Sequence, residues 1–437
     1  MRARFHTLGC RLNEAETERW VARFQRGGIG LADSDEEADL VVVNTCAVTR
    51  EAVRKSRQLL RRVQRANPDA KLVVSGCFAT LEPEEVTEAA DIALLVLNRD
   101  KDRLVEIALG QLGVVAPSGW RGEEAGGALI ARGRQRAFVK VQDGCRHRCT
   151  FCIVNVARGA ERSRPIGEIR AEVARLVGAG IREVALTGVH LGGYRTSGGG
   201  LPELIRVLLG ETGIERLRIG ALEPWALPGA LWGLFADPRL MPHLHLPLQS
   251  GSDRVLRRMG RRGTTADFAR LVEAGREAVP DLVVTSDIMA GFPGEEAADW
   301  AATLHFVGAV GLGDLHVFAY SPRIGTPAAS WPDQVADDVK QARCRALRGL
   351  AAQLRANTLR RFLGRRVPVL VEGRGPASIA GHWSGYTPSY LPVRAPLRGE
   401  PAPVSQIVEV SLDGVADDGT ALLGRLAVAM GHAPARL

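Results

Sequence analysis

The chain has 437 residues, of which 46% are hydrophobic and 24% are charged, as in soluble globular proteins of roughly two to four domains. No apolar run approaches the roughly 18 residues that span a bilayer, and the N-terminus lacks a hydrophobic core of signal-peptide length, so we expect a cytoplasmic protein without a membrane segment. The net charge of +8 favours a polyanionic partner, of which nucleic acid is the commonest.

The first segment, residues 1–110, alternates short apolar strands with helical patterns. Strands are predicted at residues 3–8, 39–44 and 71–75, and helices at residues 14–24 and 51–64. This alternation is typical of βαβ units, in which helices cover a parallel sheet. We therefore predict an α/β fold class that begins with a doubly wound N-terminal domain.

One cysteine follows each of these three predicted strands, at Cys10, Cys46 and Cys77. The carboxyl ends of adjacent parallel strands meet at one edge of a sheet, where ligands bind. Each cysteine alone is more typical of a small buried hydrophobic residue. Their shared position nevertheless favours a three-cysteine iron–sulfur site, whereas Cys344, on a predicted polar helix, has no assigned role.

Residues 111–135 are rich in Gly and Arg, lack periodicity and are predicted to be an interdomain linker. Residues 136–360 return to the alternation of strands and helices. Six strands are predicted there, at residues 138–142, 183–187, 216–220, 243–248, 282–289 and 315–320. The pattern predicts a partial (β/α)6 barrel, and such enzymes build their active sites from the loops after the strands.

Three further cysteines, Cys145, Cys149 and Cys152, lie in one loop directly after the first barrel strand. Three thiolates on a short loop can hold three irons of a 4Fe-4S cluster and leave the fourth iron without a protein ligand. Structural zinc usually takes four ligands, and His147 would be a strained fourth one. Disulfide pairing would leave one sulfur over and is typical of secreted chains. The spacing therefore predicts an iron–sulfur cluster with an open iron.

Other loops after the barrel strands contain glycines and polar side chains. The candidate ligand-binding residues are Thr187, Gly188, Gln249, Asp287 and Gly291. Glycines let the backbone approach a ligand closely, and the polar side chains can hydrogen-bond a ribose or an amino acid, although such turns are mostly structural when taken singly. His190 is interpreted as a half-exposed loop histidine.

The last segment, residues 361–430, changes character. Short strands are predicted at residues 367–372, 391–394, 407–412 and 420–423. This spacing predicts a small antiparallel β-barrel. The barrel is either a structural cap or an RNA-binding unit, and we favour RNA contact because Tyr386 and Tyr390 are available to stack on bases. Arginine clusters at residues 54–65 and 355–366 fit RNA contact and a solvated helix face equally well.

The run Cys145-x3-Cys149-x2-Cys152, with Phe151 before its last cysteine, resembles the signature of the radical S-adenosylmethionine (SAM) superfamily. The neighbouring residues 140–145 and 159–164, together with the N-terminal trio, resemble the methylthiotransferases of that superfamily over nearly the whole chain. The C-terminal segment resembles the RNA-binding TRAM domain, which has an OB-like barrel. Residues 7–17, 186–194 and 385–390 are most similar to the MtaB branch, which acts on tRNA carrying N6-threonylcarbamoyladenosine.

The resemblance implies a site and an activity. Cys145, Cys149 and Cys152 would hold the SAM-binding 4Fe-4S cluster, and Cys10, Cys46 and Cys77 would hold an auxiliary 4Fe-4S cluster. Phe151, Thr187, Gly188, Gln249, Asp287 and Gly291 would line the SAM pocket. The implied reaction consumes two SAM molecules and adds a methylthio group at C2 of the modified adenosine beside the anticodon. The implied partners are a tRNA anticodon loop, a flavodoxin-like or ferredoxin-like reductant and a sulfur source, and we expect a monomer.

The sequence departs from the family pattern at Gly263, where a tyrosine is expected, and at Gly220-Ala221, where two serines are usual. Other substrates stay open, namely isopentenyladenosine in tRNA or a ribosomal-protein side chain. The protein substrate is disfavoured because it predicts an acidic C-terminal barrel, whereas residues 360–437 contain nine arginines against six acidic residues. A non-enzymatic iron–sulfur protein that binds RNA is the alternative from another class.

Overall fold

The structure is a computed structural model that describes residues 1–113, 135–372, 381–397 and 402–427. Almost all of the predicted linker lies outside these ranges, so its prediction concerns residues that the structure does not describe. Within the described ranges, no helix is both long enough and apolar enough to traverse a bilayer.

The N-terminal domain is a five-stranded parallel sheet in the order β2-β1-β3-β4-β5. Its strands are Arg2–Thr7 (β1), Gly30–Leu31 (β2), Leu40–Thr45 (β3), Lys71–Gly76 (β4) and Leu94–Val96 (β5). Its helices are Arg11–Arg26 (α1), Arg50–Ala66 (α2), Cys77–Leu81 (α3), Pro83–Ala89 (α4) and Leu104–Gln111 (α5). The predicted doubly wound fold is confirmed, and β2 and β5 are short strands that the sequence pattern missed.

Strand β3 is buried on both faces of the sheet, which explains its unbroken apolar sequence. Val41 and Val43 belong to the core formed with α2, whereas Leu40 and Val42 belong to the core formed with α1 and α5. Helices α1 and α2 therefore lie on opposite faces, and the chain changes direction between β1 and β3. This point is where ligands bind in open α/β sheets.

The central domain contains all six predicted barrel strands, and they form two parallel sheets in the orders β6-β9-β12 and β13-β14-β15. The strands are Arg136–Lys140 (β6), Glu183–Thr187 (β9), Arg216–Ile219 (β12), His243–His245 (β13), Val283–Ala290 (β14) and Asp314–Ala319 (β15), with short pairs at Gln142–Asp143 (β7) and Arg162–Ser163 (β8) and at Arg195–Thr196 (β10) and Gly199–Gly200 (β11). The helices are Val154–Arg158, Ile166–Gly178, Leu201–Glu211, Leu231–Leu234, Asp253–Arg258, Thr265–Ala278, Ala297–Ala309 and Asp337–Arg360. A parallel bridge between Ala221 and His245 joins the two sheets.

The barrel is open on one side, since the described parts of β6 and β15 form no ladder with each other. Helix α1 packs beside β6 at this side. The Arg11 guanidinium lies 4.9 Å from the centroid of the Phe138 ring, and Lys140 Nζ lies 3.0 Å from Glu16 Oε1. The N-terminal domain thus covers part of the opening in the barrel.

The C-terminal domain is a closed five-stranded barrel in the order β16-β17-β18-β20-β19. Its strands are Arg366–Glu372 (β16), His382–Tyr386 (β17), Pro392–Pro396 (β18), Ile407–Val415 (β19) and Leu422–Leu426 (β20). Strand β17 was not predicted, because Gly385 interrupts its apolar pattern. The strand pairing requires this glycine, since a Cβ at residue 385 would lie 2.3 Å from the Leu370 carbonyl oxygen. The prediction of an antiparallel barrel needs one correction, since β18 and β20 pair in parallel and close the barrel.

Candidate functional site

A single cavity of ≈ 780 Å³ contacts all six cysteines of the two predicted trios. It begins between the N-terminal domain and the loops after the barrel strands, and it continues down the interior of the barrel to Tyr390 of the C-terminal domain. The seventh cysteine, Cys344, is buried in the main hydrophobic core and is therefore a packing residue.

The N-terminal trio meets at the switch point of the parallel sheet. Cys10 precedes α1, Cys46 follows β3, and Cys77 begins α3. Gly9 has a φ of +97°, and a Cβ at Gly9 would lie 2.5 Å from Cys46 Sγ, so only glycine allows the two loops to approach this closely. Burial raises the pKa of the Cys46 thiol to about 11, and the nearby Cys10 and Cys77 add to the shift. A bound metal would lower the pKa of this thiol again, because metals bind the deprotonated thiolate.

A buried polar network behind this trio was missed by the sequence analysis. Asn13 Nδ2 donates to the carbonyls of Leu8 and Thr45, which lie in the loops that position the cysteines. Asn13 Oδ1 accepts a 2.7 Å hydrogen bond from Arg158 Nη2, so the network reaches the barrel domain. The signal was present, since Asn13 lies on the buried face of α1, where a polar residue requires partners.

Glu16 is the centre of this network. Its carboxylate accepts from Arg158 Nη1 at 2.9 Å and forms ion pairs with Lys140 at 3.0 Å and Lys101 at 2.5 Å. Burial alone would raise the pKa of this carboxyl, but the three cations lower it well below its usual range. The network therefore holds α1 of the N-terminal domain against the barrel beside the cysteines.

The second trio lies in the loop after β6, as predicted. The loop is anchored by hydrogen bonds from Cys145 N to the Gly159 carbonyl at 3.1 Å and from Thr150 N to the Met259 carbonyl at 3.0 Å. Gly144 has a φ of +71°, and a Cβ there would lie 2.0 Å from the Ala160 carbonyl oxygen. Burial raises the pKa of Cys145 to about 12 and that of Cys152 to about 11. These half-buried thiols, adjacent in one loop, fit a cluster with three protein ligands.

Unpartnered polar atoms line the cavity wall next to this loop. Within the described residues, Arg261 Nε, Trp225 Nε1 and Gln249 Oε1 are buried without a hydrogen-bond partner. The Arg261 guanidinium lies 3.9 Å from the centroid of the Trp225 ring, and its charge is next to Cys149. Buried polar atoms at a cavity wall that lack a protein partner are available to hydrogen-bond a bound polar group. A polar cofactor that carries amino, carboxylate and ribose groups fits this wall.

Comparison with known proteins identifies the family. Residues 2–98 match the model described as Uncharacterized protein family UPF0004, and residues 139–307 match the Radical SAM superfamily model. The chain is 34% identical over 427 residues to the threonylcarbamoyladenosine tRNA methylthiotransferase MtaB of Bacillus subtilis, with 93% of each chain covered. The chain belongs to the radical SAM tRNA methylthiotransferases. Membership confirms the predicted cofactors, 4Fe-4S clusters and SAM, and an enzyme of the transferase class.

Relatives with two different names match this methylthiotransferase to a similar degree. MtaB of Thermotoga maritima is 35% identical, with 89% of this chain and 90% of the relative covered. The tRNA-2-methylthio-N(6)-dimethylallyladenosine synthase of Cereibacter sphaeroides is 39% identical, with 86% and 88% covered. Among solved structures, the radical SAM methyltransferase TsrM of Kitasatospora setae has a TM-score of 0.56 at 16% identity, with 75% of each chain covered. That likeness concerns the fold alone.

Five of the six residues predicted for the SAM pocket line the cavity of this methylthiotransferase. They are Phe151, Thr187, Gly188, Gln249 and Asp287. The sixth, Gly291, is not among the residues that line the cavity, and its part in SAM binding stays a prediction. It has a φ of +73°, its N–H donates to Glu295 Oε2 at 2.6 Å, and Lys340 packs against it. Gly291 therefore forms the turn after β14 and does not contact the cavity.

Two further residues differ from expectation. His190 is 1% exposed, and its Nδ1 lies 2.6 Å from Glu161 Oε1, so the prediction of a half-exposed loop histidine is wrong. The sequence around His190 could not predict its burial, because its partner Glu161 lies 29 positions away in the chain. Gly220 is explained by packing, since a Cβ there would lie 2.6 Å from the Leu186 carbonyl oxygen.

The tyrosines of the C-terminal barrel do not form the predicted base-stacking surface. Tyr386 and Tyr390 stack on each other, with ring centroids 4.9 Å apart, and Arg136 lies over both rings. Arg218 also lies over Tyr390, at 4.7 Å from the ring centroid. Both tyrosines are therefore used in the contact with the main barrel, where Tyr390 closes the lower end of the cavity.

Proposed function

We propose that this protein adds a methylthio group to C2 of N6-threonylcarbamoyladenosine beside the anticodon of a tRNA. The observation that carries the proposal is the convergence of two separate cysteine trios on one cavity. A single trio would serve any radical SAM reaction. A second trio that faces the same cavity supplies a place for sulfur within reach of the same substrate base.

The residues have distinct roles in this proposal. Cys145, Cys149 and Cys152 would hold the SAM-binding cluster, and Cys10, Cys46 and Cys77 would hold the auxiliary cluster. When bound, these groups supply a carbon-centred radical, a methyl group and sulfur. Arg261 and Gln249 bind and orient the polar groups of SAM, since their buried polar atoms otherwise lack partners. The covered side of the barrel excludes water, which protects a radical from side reactions.

The charge of the cavity supports the threonylcarbamoyl substrate over a dimethylallyl one. Beyond the cysteines, the wall includes Arg11, Arg218, His245, Asp287 and His316. These side chains pair with protein groups, but a dimethylallyl group has no polar atom and would displace water from their remaining donors without replacing its hydrogen bonds. The threonylcarbamoyl group has a carboxylate and a hydroxyl group, which can hydrogen-bond to them.

The tRNA partner also fits the surface charge. Lys55, Arg61, Arg62 and Arg65 of α2 line a shallow concavity on the N-terminal domain. Arginine and lysine side chains in such a position bind phosphates, and a single-stranded anticodon loop lets one base turn outward at small cost. A flavodoxin-like or ferredoxin-like reductant, a sulfur source, a cytoplasmic location and a monomeric enzyme complete the proposal.

The test is anaerobic reconstitution followed by turnover on two anticodon stem-loop RNAs. One RNA carries N6-threonylcarbamoyladenosine and the other N6-dimethylallyladenosine, and nucleosides are analysed by mass spectrometry. We expect about eight irons per chain, SAM cleavage, and a methylthio product from the first RNA only. A methylthio product from the dimethylallyl RNA alone would refute N6-threonylcarbamoyladenosine as the substrate.

A Cys46→Ala variant separates the roles of the two trios. It should bind about four irons and still cleave SAM but form no methylthio product. Cys344→Ala is the matched control, because Cys344 is buried in the core and should leave the iron content unchanged. Loss of SAM cleavage in Cys46→Ala together with a full iron content would contradict the assignment of the N-terminal trio.

A further inference from the structure

Two cationic side chains face the cavity near the N-terminal trio from opposite sides of the barrel opening. Arg11 follows Cys10 directly at the start of α1, and His316 lies in the middle of β15. Both line the cavity that contains the six cysteines. Arg11 lies over Phe138 of β6, and β6 and β15 are the two strands that flank the opening, so the two side chains line the cavity from its two edges.

Arg11 has free capacity to bind an anion. Within the described residues its only ion-pair partner is Glu14, at 2.9 Å, the side chain is 60% exposed to solvent, and Arg11 lines the cavity. Its guanidinium lies over the Phe138 ring, which holds the planar group in position. A guanidinium presents several N–H donors in a plane and therefore binds carboxylates with two parallel hydrogen bonds.

His316 is oriented by a second histidine through a shared carboxylate. His316 Nδ1 lies 3.2 Å from Asp287 Oδ1, and His245 Nε2 lies 3.0 Å from the same oxygen. His245 Nδ1 in turn contacts Thr285 Oγ1 at 2.9 Å. The hydrogen bond to Asp287 raises the pKa of His316, and in the protonated ring Nδ1 donates to Asp287 while Nε2 is left to donate to an anion in the cavity.

We infer that Arg11 and His316 form a subsite that binds the carboxylate of the N6 substituent of the substrate adenine. This inference rests on the proposed function and names the residues that select its substrate. C2 and C6 flank N1 of the same ring. A base whose C2 is beside the N-terminal trio therefore carries its N6 substituent within the same cavity, which Arg11 and His316 also line.

The same cluster has one rival occupant. The ligand atoms of His245, Asp287 and His316 all lie within 4.8 Å of one another, which is compatible with a divalent metal ion. A metal would bind the Nδ1 of His316, which faces Asp287, and would replace the hydrogen bond between these two side chains. Zinc, iron and manganese analysis of the reconstituted protein and of its His316→Phe variant distinguishes the two occupants.

The experiment compares two anticodon stem-loop RNAs that differ by one charge. One carries N6-threonylcarbamoyladenosine and the other its methyl ester, which keeps the shape and removes the negative charge. Binding to the reconstituted full-length enzyme is measured anaerobically by fluorescence anisotropy. We expect the ester to bind about tenfold more weakly, the loss typical of one charge-assisted hydrogen bond. Arg11→Gln and His316→Phe should each lower affinity for the acid to that of the ester and leave affinity for the ester unchanged.

Matched controls have the same chemistry away from the cavity. Arg206 pairs with Glu203 three residues away at 3.0 Å, as Arg11 does with Glu14, and His305 is exposed on an outer helix. Arg206→Gln and His305→Phe should keep the full preference for the acid. Arg11→Lys should keep part of it. If Arg11→Gln loses iron, His316→Phe decides the test, because His316 is remote in sequence from every cysteine.

Four results would overturn the subsite. Equal binding of acid and ester by the wild type, with the acid still methylthiolated, refutes the subsite and leaves the proposed function standing. If Arg11→Gln and His316→Phe both keep the full preference for the acid, the subsite is likewise refuted and the proposed function stands. The subsite is also refuted if each chain holds one equivalent of a metal beyond the iron of the two iron–sulfur clusters and His316→Phe loses it. That result would assign His245, Asp287 and His316 to a metal site. Methylthiolation of the dimethylallyl RNA alone refutes the proposed function itself, and the subsite with it.

Discussion

At the scale of single residues, the site depends on glycines that allow the cysteine loops to approach each other. Gly9 and Gly76 both have positive φ, and a Cβ on either would overlap a neighbouring loop, at Cys46 Sγ or at the Thr45 carbonyl oxygen. Each glycine directly precedes a cysteine of the N-terminal trio in the sequence. Only the structure shows that each glycine makes room for a different loop, the one that contains Thr45 and Cys46.

The substitution Gly9→Ala tests this close approach. A Cβ 2.5 Å from Cys46 Sγ must displace that sulfur, so we expect loss of about four irons with SAM cleavage retained. Gly28→Ala is the matched control, because Gly28 has a φ of +82° but nothing within 4 Å of the added Cβ. It should cost about 1–2 kcal/mol of stability and no iron. Equal iron loss in both variants would assign the effect to backbone strain.

At the scale of elements, α1 connects the two halves of the site. Its first turn carries Cys10, Arg11 and Asn13, and its next turn carries Glu16, which pairs with barrel residues. The sequence pattern predicted the helix but not these contacts. The partners Lys140 and Arg158 are more than 120 positions away from Glu16, and pairing at such separations leaves no periodic signal in either segment.

The substitution Glu16→Gln tests the network that holds α1 against the barrel. It leaves three buried cations, Lys101, Lys140 and Arg158, with Asp143 as the one buried carboxylate that still pairs with two of them among the described residues, so we expect a loss of about 3–5 kcal/mol. Urea unfolding of the apo-protein at pH 7 measures the loss. Glu203→Gln removes an exposed helix pair and should cost less than about 1 kcal/mol. Equal, small losses in both variants would show that the network does not stabilise the domain contact.

At the scale of the whole molecule, the C-terminal barrel is docked by arginines at the lower end of the main barrel. Arg216 donates to the Tyr386 and Pro368 carbonyls, and Arg218 donates to the Thr387 and Pro388 carbonyls, all between 2.7 and 3.0 Å. Both arginines also pair with Glu183, which is fully buried. Glu183 therefore orients the side chains that join the two domains.

The pH dependence of stability tests the role of Glu183. Burial alone would raise the pKa of this carboxyl, but Arg136, Arg218 and Arg216 lower it to about 2, below its ordinary value of 4.5. A lowered pKa adds stability that is complete above pH 4.5 and is lost as the pH falls toward 2. In urea unfolding of the apo-protein, Glu183→Gln should be less stable at pH 7, and the difference should shrink below pH 4.5. A difference that is independent of pH would contradict this role.

By itself the sequence determined most of the strands and helices, the α/β fold with a small C-terminal barrel, the positions of both cysteine trios in the chain and the family. These features depend on local periodicity and on short spacings within one loop. The tertiary structure alone decided the parallel closure of the small barrel, the burial of His190, the position of Tyr386 and Tyr390, and the exclusion of Gly291 from the cavity. Each of these depends on contacts between segments far apart in the chain, where charge pairing and steric fit determine the outcome.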